Sequence, residues 1–268
     1  IRRQRQMCIR DRSLELRMDG LSKVFGTMVS VLWILTTIYG FEYMTHEGHE
    51  DRFFAFFTMT FGVVLGIAFS GNFLTMYLFY EFLTLVTLPL VMHAMDNKAR
   101  HAGKMYILYM MFGAALAFIG FVFVYCYGTS IDFVPGGVLN PILVAGHEKT
   151  LQLVFIAAFF GFGVKAAVFP LYRWLPKASV APTPVTALLH AVAVVKSGIF
   201  AIIRLTYYSF GTDFLVGTVA QNVMLVAAAI TIVFGSTVAL RTPHIKRRFA
   251  YSTAVSYTHL RAHETKAN

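Results

Sequence analysis

The chain has 268 residues, of which 57% are hydrophobic and only 13% charged, with a formal net charge of +10. A soluble domain carries about a quarter charged residues, so a water-solvated globular fold is excluded. The positive charge does not point to nucleic acid either, because no basic stripe lies on a polar fold.

Half of that charge belongs to the two ends. Residues 1–12, IRRQRQMCIRDR, carry five Arg against Asp11, and residues 256–268, SYTHLRAHETKAN, carry Arg261 and Lys266 against Glu264. The first string has no apolar core, so it does not read as a signal peptide. Both strings resemble translated sequencing-adapter read-through, and the fold reading rests on residues 13–255. Cys8 lies in the first string and Cys126 in an apolar stretch, so no disulfide or cysteine metal site is expected.

Seven apolar stretches are long enough to cross a bilayer, which takes roughly 17–25 helical residues. They fall near 21–41, 53–70, 72–94, 105–127, 151–172, 183–207 and 214–240. The expected fold is an all-α polytopic bundle of about seven transmembrane helices. Between the first two spans lies HEGHE at 46–50. Its histidines are three apart rather than four, so it reads as a solvated loop and not a zinc motif.

The third span places Glu81 near its middle. Tyr77 is four residues before it and Thr84 three after, so all three share a helical face and the two hydroxyls are expected to bond the carboxyl group. The fifth span carries Lys165 beside Gly161 and Gly163, which permit close helix approach. Arg173, between Tyr172 and Trp174, fills the interfacial position, leaving Lys165 about two turns deeper. The sixth span opens on Pro182 and Pro184, where proline is tolerated, then presents His190 and Lys196. Lys196-Ser197-Gly198 is the expected point of unwinding, giving a broken helix at about 183–207.

Loop charges set the expected orientation. Arg52, Lys98, Arg100, Lys104, Arg173, Lys177, Arg241, Lys246, Arg247 and Arg248 fall in one set of alternate loops. Only Arg17, Lys23 and Lys149 fall in the other. Loops 95–104, 173–181 and 241–248 are therefore expected in the cytoplasm and residue 13 outside, in a cell inner (plasma) membrane.

An ionised group in hydrocarbon costs several kcal/mol on even lenient scales. Glu81, Lys165, His190 and Lys196 in successive spans are the parts of a proton or cation path. The duller readings are a protonated structural glutamate, a lysine snorkelling to the surface and a hydrogen-bonded packing histidine. A third class, a membrane-embedded enzyme using Glu81 and His190 on lipid, fits less well because these groups sit inside spans rather than at a surface cleft. The chain has no nucleotide fingerprint, Fe–S cysteines or haem pair, so no cofactor, no metal and no redox chemistry of its own are expected.

The string GFGVKAAVFPLYRWLPKASVAPTPVTALLHAVAVVKSG resembles the signature of the antiporter-like membrane subunits of NADH:quinone oxidoreductases, Mrp-type cation/proton antiporters and membrane-bound hydrogenases. Weaker similarity surrounds Glu81 and IKRRFAYSTAVS at 245–256. The resemblance implies a bundle of about fourteen helices with two inverted five-helix repeats, of which this chain holds the first complete, from 53–70 through 183–207. It implies a Glu81–Lys165 pair across neighbouring helices, with His190 and Lys196 on the broken helix passing protons toward the membrane centre, and Tyr77, Thr84, Pro184 and Ser197 in support. It also implies other membrane subunits as partners within the lipid bilayer. The transported ion that the resemblance implies is the proton, with Na+ or K+ in the Mrp-type alternative.

Overall fold

The computed structural model describes residues 13–264, with side chains to 255 apart from that of Ala191. The reading of residues 1–12 as foreign sequence lies outside the described residues, as do 265–268 and the side chains of the final string. The chain is helical: α1 Gly20–Met44, α2 Glu50–Ala68, α3 Phe73–Val91, α4 Asn97–Tyr127 and α5 Glu148–Lys165 come first. The discontinuous α6 (Thr183–Phe210), α7 (Val219–Arg241) and α8 (Ile245–Glu264) follow. Among the described residues, α1, α2, α3, α4, α6 and α7 are long and apolar enough to cross a membrane. The all-helical membrane bundle expected from the sequence is the fold observed.

Local chemistry sets the helix starts. Asp19, Asn72 and Asp96 accept from the backbone N–H groups of Ser22, Thr75 and Ala99 at 2.8, 2.8 and 2.6 Å, capping α1, α3 and α4. Glycine sets the closest crossing. A Cβ on Gly161 of α5 would lie 2.5 Å from the Ala117 nitrogen and 2.8 Å from the Gly113 oxygen of α4, so the two backbones meet. At the end where α1 begins, isolated bridges pair Leu16 with Ser70, Asn72 with Asp132 and Gly128 with Leu139. There the loop after α4 also donates from Gly136 and Val138 to the Tyr207 and Ser209 carbonyls of α6, each at 3.0 Å.

Helix α6 is the axis. Of its apolar window 76% is buried, against 44% or less for the other five spans. Two expectations need correction here. The fifth span stops at Lys165 instead of running to 172. Ala167 has φ +56°, and the chain turns through Pro170 into the short helices Leu171–Arg173 and Trp174–Ala178. Helix α6 is interrupted on either side of Lys196-Ser197-Gly198, not at it, and its last stretch, Arg204–Phe210, is also π-helical. The first interruption lies earlier in the helix. It is a π turn at Leu188–Val192, closed by the Ala193 N–H donating to the Leu188 carbonyl at 2.8 Å, whereas Val194–Ile203 is regular α-helix. Gly198 serves packing instead: a Cβ there would lie 2.6 Å from the Ala166 nitrogen.

The HEGHE segment forms the turn into α2, with His49 at the N-cap and φ +56°. His93, after α3, has its Nε2 3.1 Å from the Gly48 carbonyl, and Arg52 donates to the His93 carbonyl at 2.5 Å. Burial holds the His93 imidazole below its ordinary range, only partly countered by the Gly48 carbonyl.

Candidate ion-transfer site

Lys165 is the last residue of α5 and only 1% exposed, which disposes of the snorkelling alternative. Its position is set by three helices. From α3, the Tyr80 carbonyl accepts a hydrogen bond from Nζ, and the Tyr80 ring lies beneath the ammonium, 3.4 Å from Nζ to the centroid. The Tyr80 hydroxyl in turn donates weakly to the Gly161 and Phe162 carbonyls at 3.4 Å, tying α3 to the last turn of α5. From α6, Gly198 abuts the Lys165–Ala166 backbone. The terminal carbonyls of α5 also favour a cation at this point. The Val164 carbonyl accepts from Trp174 Nε1 at 2.7 Å, which gives the end of the helix a side-chain donor.

Glu81 follows Tyr80 on α3 and is half-buried, within electrostatic reach of Lys165. The carboxylate and ammonium are not in contact: among the described residues the ion pair within 4.0 Å is Arg204–Asp19. Glu81 Oε1 is buried without a hydrogen-bond partner. The hydroxyls expected to serve it do not. Tyr77 donates instead to the Ala114 carbonyl of α4 at 3.3 Å, and no hydrogen bond joins buried Thr84 to Glu81. The helical face was read correctly, but α4 packs close enough to capture the Tyr77 hydroxyl.

His190 sits in the π turn of α6, buried, with neither ring nitrogen hydrogen-bonded. It is therefore not the satisfied packing histidine of the duller reading. Ser197 Oγ is likewise buried and unpartnered. Lys196 points the other way, its Nζ 3.3 Å from Met28 Sδ of α1. Pro184 lies buried in the first turn of α6, with Pro182 as its N-cap. The fold thus brings Glu81 and Lys165 to one junction, against Gly198 of α6, and distributes His190, Lys196 and Ser197 along the central helix. Buried polar atoms without partners are rare and mark sites that take water or change partner. Here they include Glu81 Oε1 on α3 and His190 and Ser197 Oγ on α6.

The sequence reading missed Arg204. This residue, 1% exposed, donates to Asp19 Oδ2 at 2.5 Å and to Ser22 Oγ at 3.1 Å, and lies among the rings of Phe133, Phe200 and Tyr208. Span parity carried the signal: the start of the first span and the end of the sixth fall on the same side, so Asp19 and Arg204 share a level.

A family model described as "NADH:quinone oxidoreductase/Mrp antiporter, TM" matches residues 70–258. The putative antiporter subunit mnhA2 of Staphylococcus epidermidis (strain ATCC 12228 / FDA PCI 1200) is 30% identical over 245 residues, and that of Staphylococcus aureus (strain MSSA476) 32% over 249. Each match takes in 91% of this chain but 30% of the relative, so the chain spans under a third of the length of the curated relatives it matches. Among solved structures, a chain of the Mrp complex from Dietzia sp. DQ12-45-1b superposes with a TM-score of 0.78 at 25% identity, covering 92% of this chain and 26% of that one. A chain of the archaeal membrane-bound sulfane sulfur reductase gives 0.77 at 23%, covering 93% and 50%, and shares the fold. So does a chain of respiratory complex I from Thermus thermophilus, at 0.72 and 20%, covering 91% and 50%.

Proposed function

Because the chain belongs to the NADH:quinone oxidoreductase/Mrp antiporter membrane family, we propose that its bundle carries protons as part of an antiporter-like subunit of a respiratory or hydrogenase-type redox complex. The supporting observation is the burial of Lys165 at the α3–α5–α6 junction, beside a carboxylate it does not touch. Protons enter from the side of the Lys/Arg-rich loops, the cytoplasmic side of the inner (plasma) membrane, and reach Lys165 through water. The ammonium then has two alternative acceptors, the Tyr80 carbonyl and the Glu81 carboxylate. His190 and Ser197, with Lys196 farther along α6, continue the route toward the membrane centre. Moving one charge against 100 mV takes about 2.3 kcal/mol. Closing a carboxylate–ammonium pair to 4 Å at an effective dielectric of 20 contributes about 4 kcal/mol, enough to drive that step.

The same site serves a Mrp-type monovalent cation/proton antiporter subunit, exchanging H+ for Na+ or K+. The names of the relatives at 30–32% identity favour that second reading. In either case the partners are other membrane subunits.

The test is transport by the full-length protein in inverted membrane vesicles, followed with a pH-gradient dye. Glu81→Gln and Lys165→Met should each slow acidification by about tenfold or more, the effect of losing a little over 1.4 kcal/mol from the barrier. Tyr77→Phe should leave it unchanged. Wild-type rates in both charge variants would sink the proposal. Acidification driven by a Na+ or K+ gradient without a reductant would select the antiporter reading, and dependence on NADH the redox one.

A further inference from the structure

At the end where α1 begins and α6 finishes lies a cavity of about 240 Å³ whose lining includes Arg17, Asp19, Gly20, Arg204 and Tyr208. It shares no lining residue with the Lys165 junction. Its lining charges are unbalanced: two arginines line it against one aspartate, and that carboxylate is already held by Arg204. Arg204 has two of its nitrogens engaged, but its Nε–H is buried without a partner. Gly20 adds the first turn of a 25-residue helix, whose N–H groups and dipole favour negative charge. The surplus of donors and of positive charge selects an oxyanion over a cation. The volume accommodates a phosphate-sized group together with a few waters of about 30 Å³ each.

The segment leading into α1 indicates where that oxyanion comes from. Along Ser13–Asp19, Leu14, Leu16 and Met18 are 66%, 63% and 58% exposed, while Glu15 and Asp19 turn partly inward. A row of exposed apolar side chains at the mouth of a membrane helix lies at the level where headgroups give way to acyl chains. We propose that this cavity binds the phosphate of a membrane phospholipid headgroup, with Arg17 and Arg204 holding the oxyanion and the Leu14, Leu16 and Met18 row against the acyl chains.

The experiment is native mass spectrometry of the full chain after exposure to phosphatidylglycerol vesicles, with inorganic phosphate offered separately as competitor. Wild type should retain the lipid. Arg17→Gln, at an exposed position with little folding risk, should reduce retention about tenfold, the effect of one lost charge-assisted hydrogen bond. Arg204→Lys keeps a cation for Asp19 but has no Nε–H, and should reduce retention as well. Millimolar inorganic phosphate should not displace the lipid. Displacement by phosphate would overturn the headgroup assignment in favour of a soluble oxyanion. Retention insensitive to both substitutions would mark annular lipid and overturn the site.

Discussion

Asp19 and Arg204 show how a charge pair survives beside a membrane. Partial burial pushes the Asp19 carboxyl up, but hydrogen bonds from Arg204 and Ser22, together with the Arg204 charge, more than offset it and bring its pKa to about 2. The folded value lies below the unfolded value of about 3.9, so the stabilisation is complete above that unfolded value. It is lost as pH falls through the folded one. Thermal unfolding in detergent should therefore weaken between about pH 4 and pH 2 in wild type. Asp19→Asn should remove this acid dependence and cost about 2–3 kcal/mol at neutral pH. That is less than the ~3–5 of a fully buried pair, because Asp19 is 32% exposed. An Asp19→Asn protein as stable as wild type at pH 7 would contradict the account.

At the scale of elements, Gly198 decides how near α6 comes to Lys165. Its added Cβ would meet the Ala166 nitrogen at 2.6 Å, a backbone atom that cannot swing aside. Gly198→Ala should force α6 outward at a cost of about 1–3 kcal/mol, reduced by the ~1 kcal/mol gain in helix propensity. Gly62 of α2 is the internal control. Nothing lies within 4 Å of its added Cβ, so Gly62→Ala should be neutral or stabilising in the same thermal assay. Equal effects at both positions would remove the packing argument. The contrast also explains what the sequence could convey. Apolar length located the spans, and isolated charges within them located Glu81, Lys165, His190 and Lys196. A glycine beside a lysine, however, reads equally as a weak point or as a close contact, and Gly198 proved to be the contact. The actual interruption, Leu188–Val192, contains neither glycine nor proline and has no local signal. The acceptor for Lys165 is a backbone carbonyl, which no side-chain pattern can announce.

For the molecule as a whole, the decisive property is that α6 is enclosed by protein while the other spans are largely exposed. Its ionisable groups therefore face neighbouring helices rather than acyl chains, which makes their retention affordable. The six exposed-sided or central spans were readable from composition alone. The early end of α5 was not, because residues 166–172 are apolar enough to extend the span and only the three-dimensional turn at Ala167 ends it. The Asp19–Arg204 pair likewise joins positions 185 residues apart: span parity puts both on one side of the membrane, but only the packing of α1 against α6 brings them into contact.

The π turn of α6 has a consequence in time. Beyond it, Val194–Ile203 is a regular helix, and the helix is fastened at its far end by Arg204. At Leu188–Val192 the backbone bonds run to the fifth residue, a geometry seen mostly in single turns. Openings of such a segment draw on the low end of the local stability range. Hydrogen–deuterium exchange should therefore reach the amides of residues 188–193 well before those of 194–203, although it is the second stretch that holds the partly exposed Lys196, Ile199 and Ile203. Uniform protection along α6 would instead describe a single rigid rod. If the two stretches do separate, the histidine half of the helix can breathe on its own clock while the lysine half stays in register.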